Sequence, residues 1–117
     1  MDRRVKWVMV MIKGCLSEKL SEQTMARSVN LSSARLRQLF KKEIGLAPIQ
    51  YVRRVRMKKA AELLRLSFLS IKEVAFQIGW GDLSHFVREF KKCYGLTPTE
   101  FRVRTQRARQ DGVGEEK

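Results

Sequence analysis

The stretch Phe40-Lys41-Lys42-Glu43-Ile44-Gly45-Leu46-Ala47-Pro48 returns fifty residues later as Phe90-Lys91-Lys92-Cys93-Tyr94-Gly95-Leu96-Thr97-Pro98. Past the prolines, Tyr51 and Phe101 match as aromatics and Arg54 matches Arg104. Between 40–54 and 90–104, seven of fifteen residues are identical, so the chain carries one structural unit in two copies. The only two prolines each suit the first position of a helix, where a missing N–H costs nothing. Gly45 and Gly95 end the helices before them, because glycine enters the left-handed region without a Cβ penalty. Two copies are too few for a solenoid, so the organisation is a tandem pair of small modules.

Outward from this phrase, apolar residues recur at three and four: Leu36, Leu39, Phe40 and Ile44, then Phe86, Phe90 and Cys93. No Asn-Gly or Asp-Gly turn joins alternating runs, and Asp111-Gly112 lies in a polar tail. The fold class is all-α, with about seven helices expected at 4–19, 21–28, 33–43, 48–66, 71–77, 83–93 and 98–108. Ser32 and Asp82 are placed to cap the third and sixth, and Ser70 with Glu73 and Thr97 with Glu100 fit capping boxes. These elements divide into a first helix-turn-helix subdomain at 1–47, a connector helix at 48–66, a second subdomain at 67–109 and a flexible tail at 110–117. The connector would span about 28 Å at the usual helical rise.

Twenty-five Lys and Arg against twelve Asp and Glu leave a net charge of +13, which calls for an acidic partner. Nucleic acid ranks first and an anionic membrane second. The apolar run from Val8 to Ile12 is too short to span a bilayer, and no signal peptide precedes it, so a cytoplasmic protein is expected. Cys15 and Cys93 match no metal-ligand spacing and are read as thiols filling space in a reduced compartment. His85, the only histidine, is read as having no acidic or thiol ligand partner on its face, so no metal is expected. There is no nucleophile–base pair, phosphate loop or carboxylate cluster, hence no enzyme, no cofactor and no small-molecule site.

Each repeat extends upstream of its Phe-Lys-Lys. Ala26 precedes Val29-Asn30, and Ala75 precedes Ile78-Gly79: a small residue where two helices cross, then a residue tolerant of the left-handed turn. Gly81 is an extra residue in the second turn, where the offset between copies changes from 49 to 50. The pattern is a helix-turn-helix, present twice, whose second helices are candidates for entering a DNA major groove. With Leu36, Leu39 and Phe40 inward, Ser33, Ala34, Arg37 and Gln38 face outward. Arg37 suits a guanine, Gln38 an adenine and Ala34 a thymine methyl. With Phe86 and Phe90 inward, the second copy offers Leu83, Ser84, His85, Val87 and Arg88, of which Arg88 aligns with Gln38. Lys41, Lys42, Lys91 and Lys92 sit at helix C-termini, where complementing the dipole would account for them, but their repetition in both copies favours the alternative that they are phosphate contacts. The helix starts at Ser32, Asp82 and Thr97 are further phosphate candidates.

The segments Ser70-Ile71-Lys72-Glu73-Val74-Ala75, Ile78-Gly79-Trp80-Gly81-Asp82-Leu83-Ser84-His85-Phe86, Arg88-Glu89-Phe90-Lys91-Lys92, Gly95-Leu96-Thr97-Pro98 and Phe101-Arg102 resemble the signature of the AraC/XylS family of bacterial transcription regulators. The first half is similar to that family's other submotif through Leu36, Phe40-Lys41, Gly45, Pro48, Tyr51, Arg56, Ala60 and Leu63-Leu64, so the resemblance covers about residues 20–105. It implies two helix-turn-helix subdomains on a long helix, reading adjacent major grooves on one face of an asymmetric site and often bending it. It also implies that Ala34, Arg37 and Gln38 read in the first copy and Leu83, Ser84, His85 and Arg88 in the second. Three positions depart from the family pattern: Trp80 for Phe, His85 for Tyr, and Ala47 for the small hydroxyl residue that caps the connector.

The first helix is apolar on almost every face through Val5, Trp7, Val8, Met9, Val10, Met11 and Ile12. One stripe packs on the domain; the outer face is a candidate contact for a sensor domain, a second subunit or RNA polymerase. With no effector-binding domain in the sequence, the chain is expected to be a stand-alone regulator or the output domain of a longer one. The rival class is a helical protein-interaction module with only non-specific nucleic-acid affinity. RNA binding is weaker still, because no sheet carries stacking aromatics.

Overall fold

The computed structural model describes residues 1–116, with side chains described to Ala108. Among the described residues there are seven helices and no strand: α1 (Arg3–Gly14), α2 (Glu22–Ser28), α3 (Ser33–Ile44), α4 (Pro48–Leu66), α5 (Ile71–Gln77), α6 (Leu83–Tyr94) and α7 (Pro98–Glu116). They form two compact units, Met1–Arg56 and Met57–Lys117, with α4 contributing its first half to one and its second half to the other.

Helix α1 stops five residues before its expected end. Gly14 closes it, and the Cys15 N–H turns back to the Ile12 carbonyl at 3.3 Å, so the segment to Leu20 is a turn. Helix α7 runs past its expected end at 108, since no proline follows and Gln, Arg and Ala favour helix. The tail expected at 110–117 has its side chains outside the described residues.

The core of the first unit is made of Val5, Val8, Ile12, Leu20, Met25, Ala26, Leu36, Phe40 and Val52. The apolar excess of α1 is thereby split: Val5, Val8 and Ile12 are buried, whereas Trp7 and Val10 remain 60% and 64% exposed. Phe40 meets Tyr51 edge-on at 5.4 Å between ring centroids. Arg56 donates from Nε to the Leu16 carbonyl and from Nη2 to the Glu18 carbonyl, tying the segment after α1 to α4. Burial pulls the pKa of this guanidinium below its ordinary value.

The second unit repeats the scheme with Met57, Ala60, Leu64, Val74, Ala75, Ile78, Phe86 and Phe90. Phe90 meets Phe101 edge-on at 5.3 Å, the counterpart of the Phe40–Tyr51 pair. Arg102 donates from Nε to the Leu64 carbonyl near the end of α4, satisfying one of the carbonyls that a helix C-terminus leaves over. Burying each of these phenylalanines contributes about 1.5–3 kcal/mol, enough to fix the second helix of each repeat against its partner.

Candidate nucleic-acid interface

The turn of each helix-turn-helix is built by the same backbone device. Asn30 has φ 57° and Gly79 has φ 77°, both left-handed, and Asn30 is the only described non-glycine residue with positive φ. Ala26 and Ala75 are buried where the helices cross, and their carbonyls accept from Leu31 N and Trp80 N, each at 2.9 Å. Ser32 Oγ then accepts from Arg35 N, and Asp82 Oδ1 from His85 N, so α3 and α6 begin on side-chain caps. Both helices end on left-handed glycines, Gly45 at φ 84° and Gly95 at φ 76°.

With inward faces anchored by Leu36 and Phe40, α3 presents Ala34, Arg37 and Gln38 as exposed residues and Ser33 as half-buried. Arg37 is not idle there: its Nε lies 3.1 Å and its Nη2 3.5 Å from the carboxylate oxygens of Glu22 on α2. On α6, Leu83, Ser84 and Arg88 are exposed and His85 is half-buried. Val87, read as outward from the sequence, packs instead against the core of the second unit. Lys41, Lys42, Lys91 and Lys92 are exposed at the helix ends, and Lys92 Nζ pairs with Glu89 at 3.2 Å.

The helix starts are more committed than the sequence suggested. Thr97 N–H donates to Glu100 Oε1 and its hydroxyl oxygen accepts from Glu100 N, a closed capping box beside a carboxylate. Asp82 brings a negative charge of its own to the start of α6. Ser32 keeps its hydroxyl proton available for an outside acceptor while its oxygen caps.

A model of the helix-turn-helix domain matches residues 25–104. The chain is also 33% identical over 101 residues to the transcriptional activator RhaS of Enterobacter sp. (strain 638), covering 86% of this chain and 36% of the activator. The chain belongs to the AraC/XylS family. A transcriptional regulator with an AraC-type DNA-binding domain from Chromobacterium violaceum superposes with a TM-score of 0.81 at 25% identity, over 87% of this chain and 91% of that one. The DNA-binding domain of AdpA, a global transcriptional factor in complex with a target DNA, superposes with a TM-score of 0.88 over 93% and 98% of the two chains. At 24% identity that last likeness is one of fold. The chain spans about a third of the length of the curated relatives it matches.

Within this AraC/XylS domain, the three departures from the family pattern have local structural accounts. Ala47 offers no side-chain oxygen, yet its N–H donates to Gln50 Oε1 at 2.9 Å, so half of a capping box persists at the start of α4. Trp80 is half-buried on the second core, and its Nε1–H donates to His85 Nδ1 at 3.0 Å. The Nε2 of His85 faces Glu89 Oε1 at 3.9 Å, an acidic neighbour one turn on that the sequence reading overlooked. Among the described residues no group of three or more His, Cys, Asp or Glu side chains gathers at metal-binding distance. Cys15 is half-buried against the first core, while Cys93 is exposed and fills no space. No described helix is long and apolar enough to cross a membrane.

Sequence reasoning missed Glu22 altogether. Its only signal was a lone acid opening a helix fifteen residues before an arginine, and no periodicity links the two.

Proposed function

We propose that this domain reads double-stranded DNA sequence-specifically as part of a bacterial transcription regulator, engaging two adjacent major grooves of an asymmetric site. The observation that carries the reading is the duplicated, capped helix-turn-helix with polar and cationic side chains on the solvent face of each second helix. Arg37 and Gln38 on α3, with Ala34 and Ser33, would read bases in one groove. Leu83, Ser84 and Arg88 on α6 would read the other, with His85 a half-buried neighbour. Lys41, Lys42, Lys91 and Lys92, with the helix start at Ser32, would position the domain on phosphates, and the starts at Asp82 and Thr97 would contribute less because carboxylates already occupy them.

The net charge of +13 supports a binding constant that falls steeply with salt. Transcriptional activation, as in the RhaS relatives, is the proposed outcome, in the cytoplasm on the nucleoid. The exposed Trp7 and Val10 on α1 support a contact with RNA polymerase or a sensor domain of the same regulator. Replacing both by serine should then reduce activation without changing DNA affinity.

Selection from a random duplex library at about 150 mM salt tests the reading. The expected result is a convergent, non-palindromic site with two boxes about one helical turn apart. Binding without enrichment would overturn it and leave a module that only grips phosphate.

A further inference from the structure

Glu22 opens α2, where a negative charge complements the helix dipole, but its side chain also reaches the recognition helix of the first repeat. Its two oxygens engage Arg37 side-on, Oε2 at 3.1 Å from Nε and Oε1 at 3.5 Å from Nη2. A guanidinium held along that edge still offers its outer edge, the parallel N–H donors of Nη1 and Nη2, which is the fork that matches guanine O6 and N7. The exposures agree with this division, since the Arg37 side chain is 54% exposed and that of Glu22 only 25%.

The second repeat has no such device. By the offsets of the two copies, Glu22 corresponds to Ile71 and Arg37 to Val87, and both of those pack against the apolar core. An ion pair open to solvent on one side thus stands in the first repeat where the second has two apolar side chains packed on its core.

We infer that Glu22 is a specificity-determining residue of the first recognition helix: it holds Arg37 in one orientation and so turns a flexible cation into a reader of guanine. This rests on the DNA-reading function proposed above. An unheld arginine can satisfy itself on a phosphate or on other bases, and a carboxylate at that place discourages both. Glu22 also repels the backbone of any duplex, so it exchanges some affinity for discrimination. An exposed pair of this kind adds little to stability, which separates the role from that of a brace between α2 and α3.

The test uses the whole domain, the selected duplex, and three duplexes changed at the base pair whose preference Arg37→Ala erases. Fluorescence anisotropy gives the four affinities for wild type, Glu22→Ala, Glu22→Gln, Arg37→Ala and the double variant, with thermal midpoints alongside. Wild type should prefer guanine about tenfold or more at that pair. Glu22→Ala should cut this to about threefold or less while binding the other three duplexes more tightly, with the midpoint lowered no further than loss of one charge at a helix start brings. Glu22→Gln, which keeps an acceptor, should fall between, and Glu22→Ala should do nothing further to the preference in the Arg37→Ala background. An intact preference in Glu22→Ala, or an equal loss of affinity for all four duplexes with a lowered midpoint, overturns the inference alone. A wild-type domain that selects no site overturns the DNA-reading function, and this inference with it. So does a selected site at which Arg37→Ala erases no preference, which overturns the inference while leaving DNA reading standing.

Discussion

The indole N–H of Trp80 donates to Nδ1 of His85 at 3.0 Å, which makes Nδ1 the acceptor and leaves Nε2 to carry the ring's proton. That nitrogen lies 3.9 Å from Glu89 Oε1, beyond hydrogen-bond reach, so it is the Trp80 side on which the domain itself holds the imidazole. The ring therefore serves the geometry of the second turn before it serves any base. His85→Ala should lower stability by about 1 kcal/mol through the lost hydrogen bond, read from chemical denaturation. In DNA binding it should cost less than Arg88→Ala, whose side chain is exposed at the outer face of α6.

Arg88 aligns with Gln38, and the two occupy the same turn of their recognition helices. Replacing Arg88 by alanine should weaken binding to the selected site by about 1–3 kcal/mol, and the loss should concentrate at one base pair of the second box. Anisotropy titrations against duplexes varied within that box measure it. A uniform loss across all sequences would reassign Arg88 to phosphate.

The two left-handed turns make opposite demands on substitution. Asn30 tolerates φ 57° through its short polar side chain, so Asn30→Gly should leave stability unchanged or raise it slightly, and Asn30→Val should lower it by about 1–2 kcal/mol. Gly79 at φ 77° already has the permissive residue, and Gly79→Ala should cost about 1–2 kcal/mol. Urea unfolding midpoints of the four proteins, wild type included, decide the order.

Acid should loosen two helix starts. The Ser70 and Thr97 backbone N–H groups hold the pKa values of Glu73 and Glu100 below their ordinary 4.5. Because the folded-state values are depressed, their stabilisation is complete above about pH 4.5 and is lost as pH falls through the lowered values. Glu73→Gln and Glu100→Gln keep an acceptor for the capping box but cannot titrate. The double variant should show a flatter fall in thermal midpoint from pH 5 to pH 3 than wild type.

Elements punctuated by proline, glycine and capping side chains were legible in the sequence. Helices α3, α4 and α6 start where Ser32, Pro48 and Asp82 predict, because each start is fixed by residues within three positions of it. The end of α1 was misjudged because the turn after Gly14 is held by Arg56, some forty positions away. The outward faces of α3 and α6 followed from the inward phenylalanines, but Ser33 and His85 are half-buried and Val87 packs on a core built partly from other helices. Glu22–Arg37 and Trp80–His85 escaped for related reasons. Each is a side-chain contact chosen by tertiary packing among several chemically reasonable partners, and spacing alone does not select among them.

The single extra residue at Gly81 carries a practical consequence for anyone who would exchange reading heads between the two copies. It lies in the loop, ahead of the Asp82 cap, so everything from the cap onward keeps its phase. Positions 32 and 82 are equivalent, as are 37 and 87 or 38 and 88, whereas the crossing alanines stand at 26 and 75. A graft numbered from the alanines would slip by one position and rotate every transplanted side chain by about 100° about its helix axis. Phenylalanines would be delivered to water and arginines to the core, and the chimera would fail by arithmetic before any base was read.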